Sequence, residues 1–352
     1  MYLLVFPRVY TQFVRASWSF GDFEIFMASL LMPSMSNLKK TKKTTAHLQK
    51  SAEKAIKEGK TELAEKAAAE KLALAAKNCF IATGAYEGFL YGFHQENLEL
   101  VWSYPAHLSS IRCLALNHKY LVSGGSDEHV KIYSLNSRKE VGSLMHHQST
   151  ITCLAFFQNQ HLITACEEGL IALVRQSDWE LLKVLKGHVG QVNSIAVHPS
   201  GKILASVGRD GTCRTWDLQR GILAHTMKLS EEAYSVFLEE TRLVLVAKNC
   251  VKIVDLGTNK RIVFDQVSQC ATFDQQHLYL VGGTDIFTYN LEGELISKIE
   301  SGHIGRVKDI SFSGSTLATC SSDGIVRLFK DMTFVQEYNT KSRLICLAIS
   351  PE

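Results

Sequence analysis

The chain has 352 residues, of which 46% are hydrophobic, and its formal net charge is +3. It is long enough for one large domain or two smaller ones, and it can bury a sizeable core. The nine cysteines show no paired C-x-x-C spacing and fall mostly within predicted strands. This usage argues against a disulfide framework and against a zinc site, and it indicates buried thiols in a reducing compartment.

Residues 1–35 are rich in aromatic side chains and are interrupted by Pro7, Gly21 and several charged residues. They contain no apolar run long enough to span a bilayer, and the features of a secretory signal are absent or poorly formed. Three interpretations remain open: a disordered extension, a weak mitochondrial presequence, or an extension of the gene model with translation starting at Met35. The last of these is slightly favoured.

Residues 36–77 form a basic segment with eleven Lys against five Glu, a net charge of +6, which leaves −3 for the rest of the chain. Its lysine cluster consists of Lys39, Lys40, Lys42 and Lys43. The Ala-rich, Glu/Lys-rich sequence that follows predicts a mostly helical segment. A solvated helix is one interpretation. The other is contact with nucleic-acid phosphates or nuclear import, both of which use clustered lysines.

From residue 78 to residue 352, short strands with alternating apolar residues recur about every 40 residues. Residues at one equivalent position are separated by 40, 41, 42, 38, 35 and 40 residues; they are Phe93, Tyr133, Val174, Trp216, Val254, Tyr289 and Phe329. This period is typical of four-stranded propeller blades. The predicted fold is therefore all-β, a seven-bladed WD-repeat β-propeller with an N-terminal Lys/Ala-rich helical extension.

The clearest repeat is HPSGKILASVGRDGTCRTWDL, which runs from residue 198 to residue 218. WD repeats keep a buried chain of hydrogen bonds, and its four members here would be His188, Ser206, Asp210 and Trp216. Buried polar groups need such partners, and each bond contributes only about 1 kcal/mol net. We therefore predict that this quartet is structural and not catalytic.

Similar sets recur in other blades. They are His107, Ser123, Asp127 and Tyr133 in blade two, and His303, Thr319, Asp323 and Phe329 in blade seven. Glu87 and Glu168 occupy the position of the turn acid in blades one and three, and His147 is the loop histidine of blade three. Blades five and six lack both residues, so their assignment depends on strand alternation and spacing.

The first recognisable blade begins at residue 79 with no inner strand before it. Residues 343–349, RLICLAI, have the same pattern as the predicted inner strand IRCLAL at residues 111–116. We expect this last segment to complete blade one, so that the propeller, residues 78–352, has no open edge.

Several segments resemble one family more closely than they resemble WD repeats in general. They are GAYEGFLYGF (84–93), MHHQSTITCLAFFQNQHLITACEEGLIALV (145–174), the repeat at 198–218, RVKDI (306–310), SSDG (321–324) and SRLICLAI (342–349). In their order and spacing they are similar to the p21-activated-kinase-interacting, or MAK-type, family of WD-repeat ribosome-assembly proteins. Three features depart from that family: Val174 replaces an aromatic residue, Cys166-Glu167-Glu168 stands where a Gly/Asp turn is usual, and the basic tail precedes the propeller, whereas family members often carry theirs after it.

The resemblance implies a non-catalytic scaffold in the nucleus and nucleolus, needed for rRNA processing and for assembly of the large ribosomal subunit. The alternative that it implies is a negative regulator that binds p21-activated protein kinase. The expected partners are large-subunit assembly proteins, pre-rRNA through the basic segment, and p21-activated kinase, with the chain a monomer inside a larger complex and no membrane contact. The departure in the tail leaves any tail-dependent role open.

The sequence also predicts which face of the ring meets a partner. In WD propellers the narrow face is lined by residues next to the inner strand and just before the turn acid. Here these are Tyr86, Ser126, Gln191, Asn193, Arg209, Arg306, Lys308 and Ser322. Arg209 is the most suggestive, because the acid beside it is committed to the quartet. Its alternative interpretation is a solvated turn residue.

An enzyme built on a propeller is the competing class. It would need convergent carboxylates, a metal cluster or an activated nucleophile. The sequence has no G-x-x-x-x-G-K-[ST], G-x-S-x-G or H-E-x-x-H motif, and every tempting Ser/His/Asp set maps onto a structural quartet. We therefore expect no catalytic activity, no cofactor and no metal site.

Overall fold

The computed structural model describes residues 80–351, apart from residues 159, 259, 269 and 275. These residues form 28 strands in seven four-stranded antiparallel sheets. The prediction of an all-β, seven-bladed propeller is confirmed. The predicted helical extension, including Lys39, Lys40, Lys42 and Lys43, lies outside the described residues.

The first three blades use the following strands. Blade one begins with β1 (Phe80–Ala85), β2 (Phe89–His94) and β3 (Leu100–Pro105). Blade two contains β4 (Ile111–Leu116), β5 (Tyr120–Gly125), β6 (Val130–Ser134) and β7 (Lys139–Leu144). Blade three contains β8 (Ile151–Phe157), β9 (His161–Cys166), β10 (Leu170–Arg175) and β11 (Leu181–Lys186).

The remaining blades continue the same order. Blade four contains β12 (Val192–Val197), β13 (Ile203–Gly208), β14 (Thr212–Asp217) and β15 (Ile222–Lys228). Blade five contains β16 (Ala233–Leu238), β17 (Arg242–Ala247), β18 (Cys250–Asp255) and β19 (Arg261–Asp265). Blade six contains β20 (Cys270–Phe273), β21 (His277–Gly282), β22 (Asp285–Asn290) and β23 (Leu295–Glu300). Blade seven contains β24 (Val307–Ser313), β25 (Thr316–Ser321), β26 (Ile325–Lys330) and β27 (Thr333–Asn339), and the chain ends with β28 (Leu344–Ile349).

The last strand closes the ring. β28 pairs antiparallel with β1, with Ile349 opposite Ile81 and Leu344 opposite Ala85. β28 also packs between β24 of blade seven and β4 of blade two, so the inner strands form a complete circle. Blade one therefore has no unpaired inner edge, and the first and last strands of the propeller stabilise the same sheet.

The strands form because apolar residues alternate or run together between turn residues that suit the backbone. The second strand of each blade is almost wholly buried, as β13 shows from Leu204 to Gly208, because other strands flank it within the sheet and neighbouring blades cover both of its faces. The outer strands are largely exposed, as β15 and β27 are. At the turn between β13 and β14, Gly211 has a φ of +69°, a conformation that glycine adopts without a steric penalty.

The apolar core is divided between neighbouring blades. Trp216 of blade four packs with Ile163 and Ile171 of blade three, and Phe329 of blade seven packs with Tyr279 of blade six. A fully buried large apolar side chain contributes about 2–3 kcal/mol. Each blade is thus stabilised mainly by the blade next to it, which makes closure of the circle energetically important.

Six inner strands share a β-bulge near their first residue. The pairing of inner and second strands skips one residue in each sheet; the skipped residues are Arg112, Thr152, Asn193, Tyr234, Lys308 and Ile345. A bulge leaves its extra residue out of the ladder and re-aims its side chain. These six side chains therefore belong to the end of the ring where the inner strands begin.

Candidate interaction face

Blade four contains a continuous chain of hydrogen bonds. Trp216 Nε1 donates to Ser206 Oγ at 2.8 Å, and that hydroxyl lies 2.8 Å from His188 Nε2. The other ring nitrogen of His188, Nδ1, lies 3.0 Å from Asp210 Oδ2. Since a carboxylate can only accept, His188 Nδ1–H donates to Asp210; because burial lowers the pKa of His188, Nε2 carries no proton and accepts from Ser206, whose oxygen accepts from the indole. His188 is therefore neutral, with its proton on Nδ1.

The charges in this network follow from burial and hydrogen bonding. Burial lowers the pKa of His188, and the Asp210 carboxylate offsets this only in part. Burial alone would raise the pKa of Asp210, but hydrogen bonds from Thr212, the Val189 N–H and His188 lower it to about 2. At neutral pH the network thus consists of an ionised acid and an uncharged histidine, which stabilises the loop against the turn.

The network is less complete in blades two and seven. In blade two, His107 Nε2 lies 2.7 Å from Ser123 Oγ and its Nδ1 lies 2.8 Å from Asp127 Oδ1, but the buried Tyr133 hydroxyl makes no hydrogen bond of good geometry with the described residues. In blade seven, His303 Nε2 lies 2.9 Å from Thr319 Oγ1, and Nδ1 lies 3.5 Å from Asp323 Oδ2. Phe329 has no polar atom to contribute. The four-membered chain predicted for all three blades is complete in blade four alone among them.

Blade three differs from the sequence expectation for its acid. His147 Nε2 and His146 Nε2 both lie within hydrogen-bonding distance of Thr164 Oγ1, at 2.7 Å and 2.8 Å. Glu168, the residue at the acid position, is exposed, and the buried Nδ1 of His147 has no partner among the described residues. Glu168 thus stands at the sequence position of the turn acid but does not pair with His147. In blades five and six, Leu245 and Leu280 stand where the other blades have a hydroxyl.

These networks hold one face of the ring in place. The Leu108 N–H donates to Asp127, and the Val189 N–H donates to Asp210, each at 3.1 Å. Each bond joins a loop that enters an inner strand to the turn between the second and third strands. Within the described part of the chain, no cluster of His, Cys, Asp and Glu suits a metal ion, and no helix is long and apolar enough to cross a membrane. The buried polar groups thus position loops.

The residues predicted for the partner-binding face lie on this end of the ring in adjoining pairs. Backbone N–H groups of the turn residues donate to loop carbonyls: Tyr86 to Arg343, Ser126 to Ser110, Arg209 to Gln191 and Ser322 to Arg306. Tyr86, Arg209 and Arg306 are exposed, and the others are half-buried. Asn193 and Lys308 are bulge residues of blades four and seven. The structure therefore places all eight predicted residues around one mouth of the central channel.

Sequence reasoning missed two basic residues on this face. Arg112 is the bulge residue of blade two, and Arg343 directly precedes β28 and lies beside Tyr86, with its guanidinium 5.5 Å from the centre of the Tyr86 ring. Both are exposed. A signal for Arg112 was present, because it holds the same second position in its inner strand as Lys308 and Asn193. No such pattern marked Arg343, whose place on this face follows from the pairing of β28 with β1.

Comparison with known proteins identifies the relatives of this ring. The WD domain, G-beta repeat family matches residues 98–134, 138–173, 179–217 and 293–330. The p21-activated protein kinase-interacting protein 1-like protein of Gallus gallus is 33% identical over 294 residues, covering 76% of this chain and 79% of that protein. The chain belongs to the p21-activated protein kinase-interacting protein 1 family. The resemblance inferred from the sequence is thereby confirmed.

Two more distant proteins also match this chain. Protein MAK11 of Saccharomyces cerevisiae is 28% identical over 312 residues, covering 72% of this chain and 75% of that protein. A solved structure, that of the computationally designed Ika8 protein, matches with a TM-score of 0.58 at 22% identity, covering 71% of this chain and 80% of that one. At this identity the likeness shows the fold alone. The chain is thus a WD-repeat member of a family named for protein interaction.

Proposed function

We propose that this protein is a non-catalytic scaffold in ribosome biogenesis, acting in the nucleus and nucleolus in rRNA processing and in assembly of the large ribosomal subunit. The observation that carries the proposal is the similarity to one family over 76% of the chain, on a ring whose loops are held by buried networks. Such a ring acts by presenting loops at fixed relative positions. The ribosomal role is supported by the resemblance of the repeat segments to WD-repeat ribosome-assembly proteins.

The proposed contact surface can be tested by reversing three of its charges. The variant Arg209→Glu, Arg306→Glu, Lys308→Glu should fold normally, because Arg209 and Arg306 are exposed and Lys308 is only half-buried, and thermal unfolding checks this. In a sucrose gradient, the tagged wild-type protein should sediment with large-subunit precursors, and the variant should move to the light fractions.

The matched control reverses charges elsewhere. Lys119→Glu with Arg261→Glu changes exposed residues at the opposite end of the ring and on the outer strand β19, and it should sediment like the wild type. Unchanged sedimentation of the triple variant would contradict the role of this face. Absence of the wild-type protein from the precursors, with no pre-rRNA in its affinity eluate, would contradict the ribosomal role.

A second candidate function is binding and restraint of a p21-activated protein kinase. The names of the relatives favour it, since they describe kinase-interacting proteins. A pull-down with this chain and a purified kinase regulatory segment, with no other component, separates the two functions. Retention of the segment, together with loss of activity of the full-length kinase when this chain is added in a separate assay, would support regulation. Copurification of kinase without ribosomal precursors from cells would reverse the ranking.

The basic segment has a proposed role of its own, which is contact with pre-rRNA. Clustered lysines bind phosphates through counterion release, so the contact should weaken steeply with salt. Replacing Lys39, Lys40, Lys42 and Lys43 with Gln should reduce cross-linking to pre-rRNA in cells. Equal cross-linking of this variant and the wild type would remove the segment from the proposal.

A further inference from the structure

The strongest unexplained feature of the ring is a group of positive charges at the mouth of the channel. We use the term cationic mouth for Arg112, Arg306, Lys308 and Arg343, which belong to blades two, seven and one. β28 lies between β24 and β4, so Lys308 on β24, Arg343 before β28 and Arg112 on β4 meet around one strand. Burial lowers the pKa of Lys308, and the charges of Arg306, Arg343 and Arg112 lower it further. The four charges therefore repel one another.

Two residues at equivalent positions in blades four and five are joined by a hydrogen bond. In blade four the bulge residue Asn193 donates through Nδ2 to Glu232 Oε1 at 2.8 Å, and Glu232 directly precedes the next inner strand. Lys308 and Arg343 hold the same two positions in blades seven and one. The place where blades four and five form a hydrogen bond is thus occupied by two cations, which an external anion could bridge.

Three of the four cations have no ion-pair partner among the described residues. Among the ion pairs of the described residues, none joins Arg112, Lys308 or Arg343 to a carboxylate. The neighbouring carboxylate of Asp309 accepts from the Leu347 N–H at 2.8 Å and the Ile310 N–H at 2.9 Å, and it forms no ion pair with these three cations. The cationic mouth thus presents positive charge to a ligand.

Aliphatic side chains accompany the charges. Leu108 directly follows the loop histidine of blade two, and Ile304 directly follows that of blade seven. Their side chains have exposed fractions of 101% and 93%. The Leu108 backbone is tied to Asp127, and the loop of Ile304 is tied through the Gly305 N–H to Asp323 at 3.1 Å. Fixed loops therefore hold two large apolar side chains in solvent on the same face as the cations, where a partner could cover them.

We propose that the cationic mouth binds a short acidic segment of a partner protein, whose carboxylates contact Arg112, Lys308 and Arg343 and whose aliphatic side chains pack on Leu108 and Ile304. This inference deepens the proposed scaffold function and rests on it. A nucleic acid fits less well, because the rest of this face carries Glu167, Glu168, Glu231 and Glu232, which repel an extended polyanion. Phosphates and sugars also offer nothing for exposed leucine and isoleucine.

Binding of defined probes to the purified full chain tests the proposal. The probe is a fluorescein-labelled synthetic peptide rich in Glu with interspersed Leu, and its anisotropy is measured at low and at physiological salt. Two further peptides replace Glu by Lys, or Leu by Ser, and the last probe is a single-stranded RNA of similar length. The Glu/Leu peptide should bind most tightly, the Glu/Ser peptide more weakly, and the Lys/Leu peptide not at all.

Two variants locate the binding. Arg112→Glu with Arg343→Glu should weaken binding of the Glu/Leu peptide roughly tenfold or more, as expected when two charge contacts become repulsive. Leu108→Ala with Ile304→Ala should weaken the Glu/Leu peptide and leave the Glu/Ser peptide unchanged. The control Lys119→Glu, Arg261→Glu should bind like the wild type, and thermal unfolding checks that every variant is folded.

The outcomes separate this inference from the scaffold function. Equal binding of the Glu/Leu peptide by the wild type and by the folded Arg112→Glu, Arg343→Glu variant would overturn the inference, and so would tighter binding of RNA than of the peptide. Peptide binding that is lost in this variant supports the inference even where the triple variant still sediments with ribosomal precursors. In that case the sedimentation result contradicts the surface proposed for the scaffold function, and it does not contradict peptide binding at the cationic mouth.

Discussion

Blades four and five are neighbours in the ring and have the same four-stranded form, but they are stabilised differently. In blade four, Ser206 bonds both Trp216 and His188 in a buried network. In blade five, Leu245 stands at the equivalent position and packs with Ala205 and Val207 of blade four. A sheet of this fold therefore forms with or without the polar network, as long as its second strand is buried against the next blade.

What the network adds is a fixed loop. In blade four, Asp210 joins the loop at Val189 to the turn that follows β13. The loop that enters blade five is held by exposed contacts, such as the hydrogen bond from Lys252 Nζ to Ser230 Oγ. An exposed contact competes with water, whereas a buried polar group that loses its partner costs about 1–3 kcal/mol. The comparison indicates that the networks stabilise the interaction face more than they stabilise the sheets.

The largest expected effect comes from removing the hydroxyl at the centre of the network. Ser206→Ala should lower the free energy of unfolding by about 2–4 kcal/mol, because Trp216 Nε1 and His188 Nε2 both lose their partner inside the protein. The matched change in blade seven, Thr319→Ala, should cost about 1–2 kcal/mol, since among the described residues Thr319 Oγ1 bonds His303 Nε2 alone. Denaturant unfolding measures both. Equal losses of unfolding free energy in the two variants would show that a complete network stabilises its blade no more than an incomplete one.

A smaller effect is expected from pH. Burial lowers the pKa of His107, His188 and His303, and it lowers that of His147 to about 4. The unfolded chain therefore takes up protons first, so this stability is fully present above the ordinary histidine pKa of about 6.5 and is lost as pH falls below it. His147 alone should contribute roughly 1–3 kcal/mol of that loss between pH ~6.5 and pH ~4.

The variant His147→Gln checks the assignment, because the amide can still bond Thr164 but does not titrate in this range. Its thermal midpoint should fall less steeply from pH 7 to pH 4 than that of the wild type. Parallel curves for the two proteins would show that His147 is not responsible for the loss. Blades five and six have no loop histidine in the sequence, so no histidine of this kind contributes to the slope from them.

The smallest effect is expected from a substitution that completes the hydrogen-bond network of blade three. In blade three, Glu168→Asp should place a shorter acid at the position that Asp210 holds in blade four and supply an acceptor for Nδ1 of His147. The free energy of unfolding should rise by about 0.5–1 kcal/mol, and the pKa of His147 should rise with it. An NMR titration of His147 reads the second change. An unaltered pKa would mean that the turn of blade three cannot reach the histidine.

Most of the fold was predictable because its signals are local. Strand alternation and the spacing from Phe93 to Phe329 indicated seven blades, including blades five and six, where neither histidine nor acid helps. The quartet of blade four was predictable since all four residue types are present. The acid of blade three was not, because Glu168 matches Asp210 in charge and position but is exposed, and burial depends on the turn in three dimensions.

The sequence by itself determined the strands, their number and the polar residues that need buried partners, because each of these depends on neighbouring residues in the chain. Only the tertiary structure decided that Arg343 lies with Lys308 and Arg112. That arrangement depends on β28 closing the circle between β24 and β4, and on bulges that turn Arg112 and Lys308 out of their strands. Charges far apart in the chain meet there because closing the ring buries the apolar faces of its first and last blades.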